Sequence, residues 1–325
     1  MKNISKYLKI AVSLALLAAL FWIMRDKLLG IVSIIAHAKK PFIAMSVGIF
    51  VLCMILQSFR LKLLLDAQGV HIAIRDVTFL TFIGQFFNNF MPTSIGGDVI
   101  KAYYASGGTK KKLETFTSVL IDRVLGVITL SWIALAALFL YPDDIANKIV
   151  VVIIIIMCVI GTVFTAVIFN KKAARIIVFF ERFFKSPRIK DQLQRLYEAT
   201  HKYRHHKMLL LHAIWISFIA QLMFFYMAYL LAIAISSGVS FTFLMLNMPA
   251  ISAASMLPSL NGLGIRESGF VYFLGGVMGK TNAFALSLLY LGVMLVMSLV
   301  GGVIFLFKRE FKHIIHAPSS LDVRL

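Results

Sequence analysis

Apolar runs near the length of a membrane span recur along this chain, at about 8–24, 42–59, 117–141, 148–169, 208–236 and 282–307. A helix needs roughly 20 consecutive apolar residues to cross the hydrocarbon core, so each run reads as a full span. Two further apolar stretches, about 77–104 and 241–278, carry interruptions. In the first, Pro92 follows Asn88-Asn89 and is itself followed by Gly96, Gly97, Asp98 and Lys101. In the second, Pro258 is followed by Asn261, Gly262, Gly264, Arg266 and Glu267. Proline removes a backbone donor and glycine loosens the helix, so each stretch is expected to break there. Freed backbone groups survive at membrane depth only when buried in protein or lining a watery cavity. A matched pair of interrupted segments in the two halves of a chain points to a transporter's binding site.

The pattern predicts an all-α polytopic membrane protein with about six full spans and two re-entrant or broken helical segments arranged as an inverted repeat. It forms a single multi-pass domain over 1–325: a first half to about 170, an amphipathic connector at 171–207, a second half over 208–310 and a tail from 311. Composition agrees, because 60% of residues are hydrophobic and only 14% are charged, against about 25% charged in a soluble domain. The run at 8–24 ends in Arg25-Asp26 with no small-x-small cleavage pattern, so it reads as a retained span rather than a signal peptide. Cys53 and Cys158 each lie inside an apolar run and read as small buried hydrophobes.

The net charge of +19 reads here as cytoplasmic loops against anionic headgroups, with no nucleic-acid partner. Lys2, Lys6 and Lys9 place the N-terminus inside, and the eleven Lys and Arg residues of 171–207 belong there too, as does the tail with Lys308, Arg309 and Lys312. Both termini are therefore expected in the cytoplasm, across a cell membrane. These assignments agree only if each broken segment enters and leaves on one side, the first from the cytoplasm and the second from outside. A discontinuous helix that crosses fully remains the alternative. Arg25, Lys27, Lys39 and Lys40 violate this orientation.

Charged side chains inside a span cost roughly 2.5–3.5 kcal/mol each on insertion scales, so they face the interior and take partners. The candidates are Asp98, Lys101, Asp122, Arg123, Arg266 and Glu267. Asp122 and Arg123 are neighbours about 100° apart on a helix, so at least one should reach toward a broken segment, as Asp98 with Arg123 or Asp122 with Arg266. Arginine matches phosphate bidentately and stays charged when desolvated, which makes Arg123 and Arg266 candidate lipid-phosphate ligands. Asp98, Asp122 and Glu267 are candidates for ion pairing or proton coupling. Gly96, Gly97, Gly262 and Gly264 could let backbone N–H groups approach an anion, or could serve as hinges. Asn88, Asn89 and Asn261 could bond a headgroup or cap broken helix ends.

Other chemistry has little footing. His201, His205 and His206 lack a carboxylate or thiol to complete a metal site. Ser94, Ser255 and Ser259 lack a placed histidine base, and no Gly-Lys-Ser/Thr phosphate loop occurs. No catalytic residue, metal or cofactor is expected.

At these residues the chain resembles the flippase-like membrane family that includes the transmembrane region of lysylphosphatidylglycerol synthase. The matching pieces are Arg60, Gly84 with Asn88-Asn89, Pro92, Gly96-Gly97-Asp98, Asp122-Arg123, and Pro258 with Gly262-Leu263-Gly264-Ile265-Arg266-Glu267. The family has arginine where this chain has Lys101. The resemblance implies a helical bundle with re-entrant elements that moves a lipid between leaflets. The synthase's soluble aminoacyl-transferase domain has no counterpart before Leu325, so transport rather than an enzyme activity is expected. The expected partners are a membrane phospholipid or polyprenyl-linked lipid and a separate lipid-modifying enzyme. Two alternatives use the same residues. One is a membrane transferase with a lipid-phosphate donor and Asp98 or Glu267 as base. The other is a proton- or ion-coupled carrier of small solutes.

Overall fold

The computed structural model describes residues 22, 25–91, 96–107, 111–140, 148–169, 198–255 and 262–307. Among them the secondary structure is helical. Ten α-helices lie wholly within the described residues, after a short 3-10 turn: α1 (Leu28–Ala36), α2 (Lys40–Ala67), α3 (Ile74–Phe90), α4 (Gly96–Ser106), α5 (Lys112–Leu140), α6 (Lys148–Phe169), α7 (Lys207–Ala234), α8 (Phe241–Ser255), α9 (Ile265–Met278) and α10 (Lys280–Phe307). Four of these, α2, α5, α7 and α10, are long and apolar enough to cross a membrane. At 28 or 29 residues each is about 42 Å long, with room to tilt across the ~30 Å hydrocarbon core. The window at 8–24 falls almost wholly outside the described residues, as do Pro92, Pro258, Asn261 and most of the 171–207 connector.

Sequence windows mark the apolar middle of each helix and miss its polar ends. The run at 42–59 is the core of α2, which starts at Lys40 with proline in its first turn, where the missing N–H costs nothing. It then continues past Arg60 for two more turns. Leu61, Leu64 and Leu65 are buried there, so packing carries the helix through the charge.

Both interrupted stretches fold back on themselves. Gly97 on α4 lies against the Gly84 carbonyl and Asn88 on α3, and the Lys101 stem lies over Gly84, so the two arms run antiparallel. On α9, Gly269 faces Ile251 of α8 while Gly262, ahead of the helix, faces Ser255. That is again an antiparallel pair. The arms hold 17 and 11 residues in the first hairpin and 15 and 14 in the second. At 1.5 Å per residue the longest is about 25 Å, and each pair returns the chain to the side it came from.

The same arrangement occurs twice. A long helix, a hairpin and a second long helix form α2–α5, and the pattern repeats in α7–α10. Packing partners exchange accordingly: α3 packs on α10 as α8 packs on α5, and α4 packs on α5 as α9 packs on α10. At the centre α2 and α7 pack on each other. The Lys39 N–H donates to the Ala234 carbonyl at 2.9 Å. Further along, Ser46 Oγ donates to the Met227 carbonyl and Cys53 Sγ to the Ala220 carbonyl. Residue numbers rise on one helix as they fall on the other, so the pair is antiparallel and the two units have opposite sense. This is the inverted repeat expected from the charge map.

Apolar side chains face outward along the spans. Val152, Ile155, Ile156, Val159 and Ile160 of α6 and Leu295, Val296 and Leu299 of α10 are exposed, while polar groups such as Ser46, Ser58 and Thr129 are buried. Hydrocarbon supplies no hydrophobic drive between helices, so small residues must permit close packing. Gly301 and Gly302 do this on α10, where an added methyl would strike Phe82 and Phe86 of α3. At the end of α2, Tyr203 Oη donates to the Leu64 carbonyl at 2.9 Å and lies 2.9 Å from Ser118 Oγ. Burial pushes this phenol up to about 12, so it stays neutral and holds the connector against α2 and α5.

Candidate functional site

A cavity of about 260 Å³ lies among α2, α3, α4, α5, α7, α8 and α10. Its lining includes Met54, Gly126, Ala220, Gln221, Tyr290 and Met294, all near the midpoints of their helices. The chamber therefore sits at mid-height of the bundle, where inverted-repeat transporters place their sites.

The first hairpin delivers charge to it. Asp98 is the third residue of α4, a favourable place for a carboxylate beside the helix N-terminus. It pairs with Arg123 of α5, and its Oδ1 lies 2.8 Å from Lys101 Nζ one turn along α4. Of the two pairings foreseen, Asp98 with Arg123 forms. The other does not: Asp122 takes Arg60 rather than Arg266. Arg60 Nε donates to Asp122 Oδ1 at 2.6 Å, and its Nη1 donates to Ser217 Oγ at 2.7 Å. Asp122 and Arg123 point to different sides of α5, as their 100° offset requires, and each finds a separate partner.

Arg60, Lys101, Arg123 and Asp122 all line the cavity. With Asp98 behind Lys101 and Arg123, three cations face two carboxylates, an excess of one positive charge among the described residues. In so low a dielectric a surplus of cations over carboxylates favours an anionic guest. The Arg123 side chain keeps 39% of its surface accessible, whereas Arg60 and Asp122 are buried.

The second hairpin keeps its charges to itself. Glu267 is fully buried and accepts hydrogen bonds from Arg266 Nη2 at 2.7 Å, Arg266 Nε at 3.1 Å and the Gly264 N–H at 2.6 Å. The same carboxylate thus caps the start of α9 and neutralises its neighbour. Arg266 also lies over the Tyr290 ring at 5.8 Å and donates to Met294 Sδ at 3.0 Å. Tyr290 and Met294 line the cavity and Arg266 does not. The arginine stands one layer behind the wall.

The glycines and asparagines divide by geometry. The Gly97 N–H donates to Asn88 Oδ1 at 2.8 Å, so Asn88 caps α4 and also lines the cavity. Asn89 donates to the Met294 carbonyl and ties α3 to α10. Gly96 packs on Met91, and Gly97 on Gly84. Gly262 and Gly264 have φ of 77° and 82°, a left-handed turn into α9 that a side chain would strain. Gly97→Ala is expected to wedge the first hairpin apart, because the new methyl overlaps the Gly84 carbonyl oxygen. A loss of about 1–3 kcal/mol should show in thermal unfolding of the purified protein, and an unchanged midpoint would contradict the close approach.

Arg60 escaped the reading of intramembrane charges because it sits where the apolar window stops, and a lone arginine there reads as a span's end. The buried leucines beyond it were the signal. Three glutamines, Gln57, Gln85 and Gln221, also line the chamber; in the sequence they do not stand out, since neutral amides barely lower a hydropathy window. Among the described residues no three His, Cys, Asp or Glu side chains could hold a metal ion together. Cys53 and Cys158 are free thiols, and Ser255 donates to the Ile251 carbonyl of its own helix.

Fold and site define a class: a polytopic helical membrane protein with paired hairpins and a charged chamber at mid-height of its spans. The chain belongs to the family described as the lysylphosphatidylglycerol synthase TM region, whose model matches residues 8–302. No curated protein and no solved structure matches it.

Proposed function

We propose that the protein moves an anionic phospholipid or lipid-linked phosphate between the leaflets of the cell membrane, with both termini in the cytoplasm. The observation that carries this reading is the surplus of one cation over the carboxylates that the described residues bring to the chamber, at mid-height of the bundle. A phosphodiester carries one negative charge and would balance it, with Arg123 and Lys101 as donors. A cavity of about 260 Å³ is smaller than the roughly 300–1,000 Å³ of sites that enclose drug-sized ligands. It suits a headgroup whose acyl chains stay in the bilayer. The opposed hairpins supply the two elements that alternating exposure requires. The headgroup would be bound from one leaflet, enclosed beside Asp98 and Arg123, and released to the other as the hairpins exchange roles. A lipid-modifying enzyme acting separately would supply or consume the cargo, and the basic connector would rest on anionic headgroups.

The test is reconstitution of the whole chain into vesicles containing tail-labelled lipids, followed by chemical quenching of label in the outer leaflet. Anionic lipids should exchange between leaflets at least about tenfold faster than in protein-free vesicles, an effect of a size that one charged contact supplies. Rates indistinguishable from protein-free vesicles for every anionic lipid would overturn the reading.

A further inference from the structure

The charged cluster accounts for a phosphate but not for the rest of the chamber wall. Gln57 of α2, Gln85 of α3 and Gln221 of α7 line it from three directions, joined by Ser252 of α8. None of the three carboxamides makes a hydrogen bond to another described residue, and neither does the Ser252 hydroxyl. Nearby polar side chains behave differently: Ser58, Thr81 and Ser217 each donate to a backbone carbonyl one turn earlier. Asn88 is used by Gly97. All four residues are only partly buried, so three amides and a hydroxyl are open to the chamber and can bond the hydroxyls of a guest that enters it.

We infer that the chamber recognises a phosphodiester whose headgroup is a neutral polyol, with the three glutamines and Ser252 reading its hydroxyls. Each carboxamide offers two donors and an acceptor, which matches a hydroxyl that must both give and receive. An ammonium headgroup fits poorly, because it brings only donors and needs a carboxylate. Asp98 is engaged by Arg123 and Lys101, and Asp122 by Arg60. A bare phosphate monoester would leave the amides unbonded and bring more negative charge than the single excess cation balances. Glycerol, inositol and glycosyl phosphodiesters share the required chemistry. The inference rests on the transport reading above and specifies its cargo.

The experiment compares three lipids with identical labelled tails in vesicles containing the whole chain: phosphatidylglycerol, phosphatidic acid and phosphatidylethanolamine. Phosphatidylglycerol should move about tenfold faster than either of the others, the discrimination expected from one or two neutral hydrogen bonds. Combining Gln57→Met, Gln85→Met and Gln221→Met keeps side-chain length and removes the amides. The phosphatidylglycerol-to-phosphatidic-acid ratio should then fall toward one. Gln85→Met alone should lower that ratio about threefold, which keeps the test decisive if the triple variant does not fold. Equal rates for phosphatidylglycerol and phosphatidic acid with phosphatidylethanolamine slower, or a ratio untouched by Gln85→Met, would overturn the polyol assignment while leaving anionic lipid transport standing; equal rates for all three would overturn both. If phosphatidylglycerol does not move, the polyol assignment falls, and if no other anionic lipid moves either, polyprenyl-linked phosphates included, the transport reading falls with it. Water-soluble glycerophosphoglycerol is the remaining arm. Should it enter the vesicles as fast as the lipid exchanges, the polyol phosphate is a free solute and the lipid form is overturned.

Discussion

Asp122→Leu is expected to destabilise the protein by about 3–5 kcal/mol, because it leaves the Arg60 guanidinium buried without its counter-charge. Arg60 and Asp122 are both almost wholly buried and meet at 2.6 Å. Ser217 Oγ remains as a partner for Nη1 but cannot neutralise a cation. Adding Arg60→Met should recover most of the loss, since a well-packed apolar pair replaces a buried ion pair at little cost. Unfolding midpoints of the two variants, compared with the parent protein, measure this directly. The double variant also separates structure from binding. It removes one cation and one carboxylate, so the chamber keeps its single excess positive charge and should keep its preference for anionic lipid. If anionic and neutral lipids move equally in the refolded double variant, the charge excess is not what selects the cargo.

Arg123→Gln should do the reverse. Asp98 retains Lys101 at 2.8 Å, so little stability is expected to go, about 1 kcal/mol or less for a pair that is part-exposed on the arginine side. The charge balance changes more. Arg60 and Lys101 would face Asp98 and Asp122, leaving no excess cation. Loss of one charge-assisted hydrogen bond costs about 1.5–3 kcal/mol, or roughly ten- to a hundredfold in rate. Anionic lipid exchange in vesicles should fall by that factor, while the melting temperature shifts by only a few degrees. A variant that transports at the parental rate would remove Arg123 from the site.

Much of this architecture was legible because polar residues inside apolar runs are conspicuous. The two interruptions and six unusual charges stood out against sequence that hydrocarbon would otherwise accept. Lysine and arginine placement added that the interrupted stretches fold back, and the antiparallel packing of α3 with α4 and of α8 with α9 agrees. Pairing was less legible. Asp122 was expected beside Arg266 and takes Arg60 instead. A hydropathy window weighs Arg60 as a break in the span. In the folded protein the leucines after it continue to pack, and the charge turns inward to Asp122. Arg266 was expected beside Asp122 or at a lipid phosphate, yet Glu267 beside it satisfies it locally behind Tyr290 and Met294.

The sequence by itself determined the class of fold, the positions of the breaks and the demand for charge pairing, because each follows from the cost of exposing polar groups to hydrocarbon. Only the tertiary structure decided which charges meet, and that one chamber gathers Arg60, Lys101 and Arg123 with three glutamines from separate helices. Those outcomes depend on how each helix is rotated about its axis and where antiparallel α2 and α7 bring opposite units together. Rotation and register are settled by packing between distant segments, such as Gly97 on Gly84 and Gly301 on Phe82, and no local pattern encodes them.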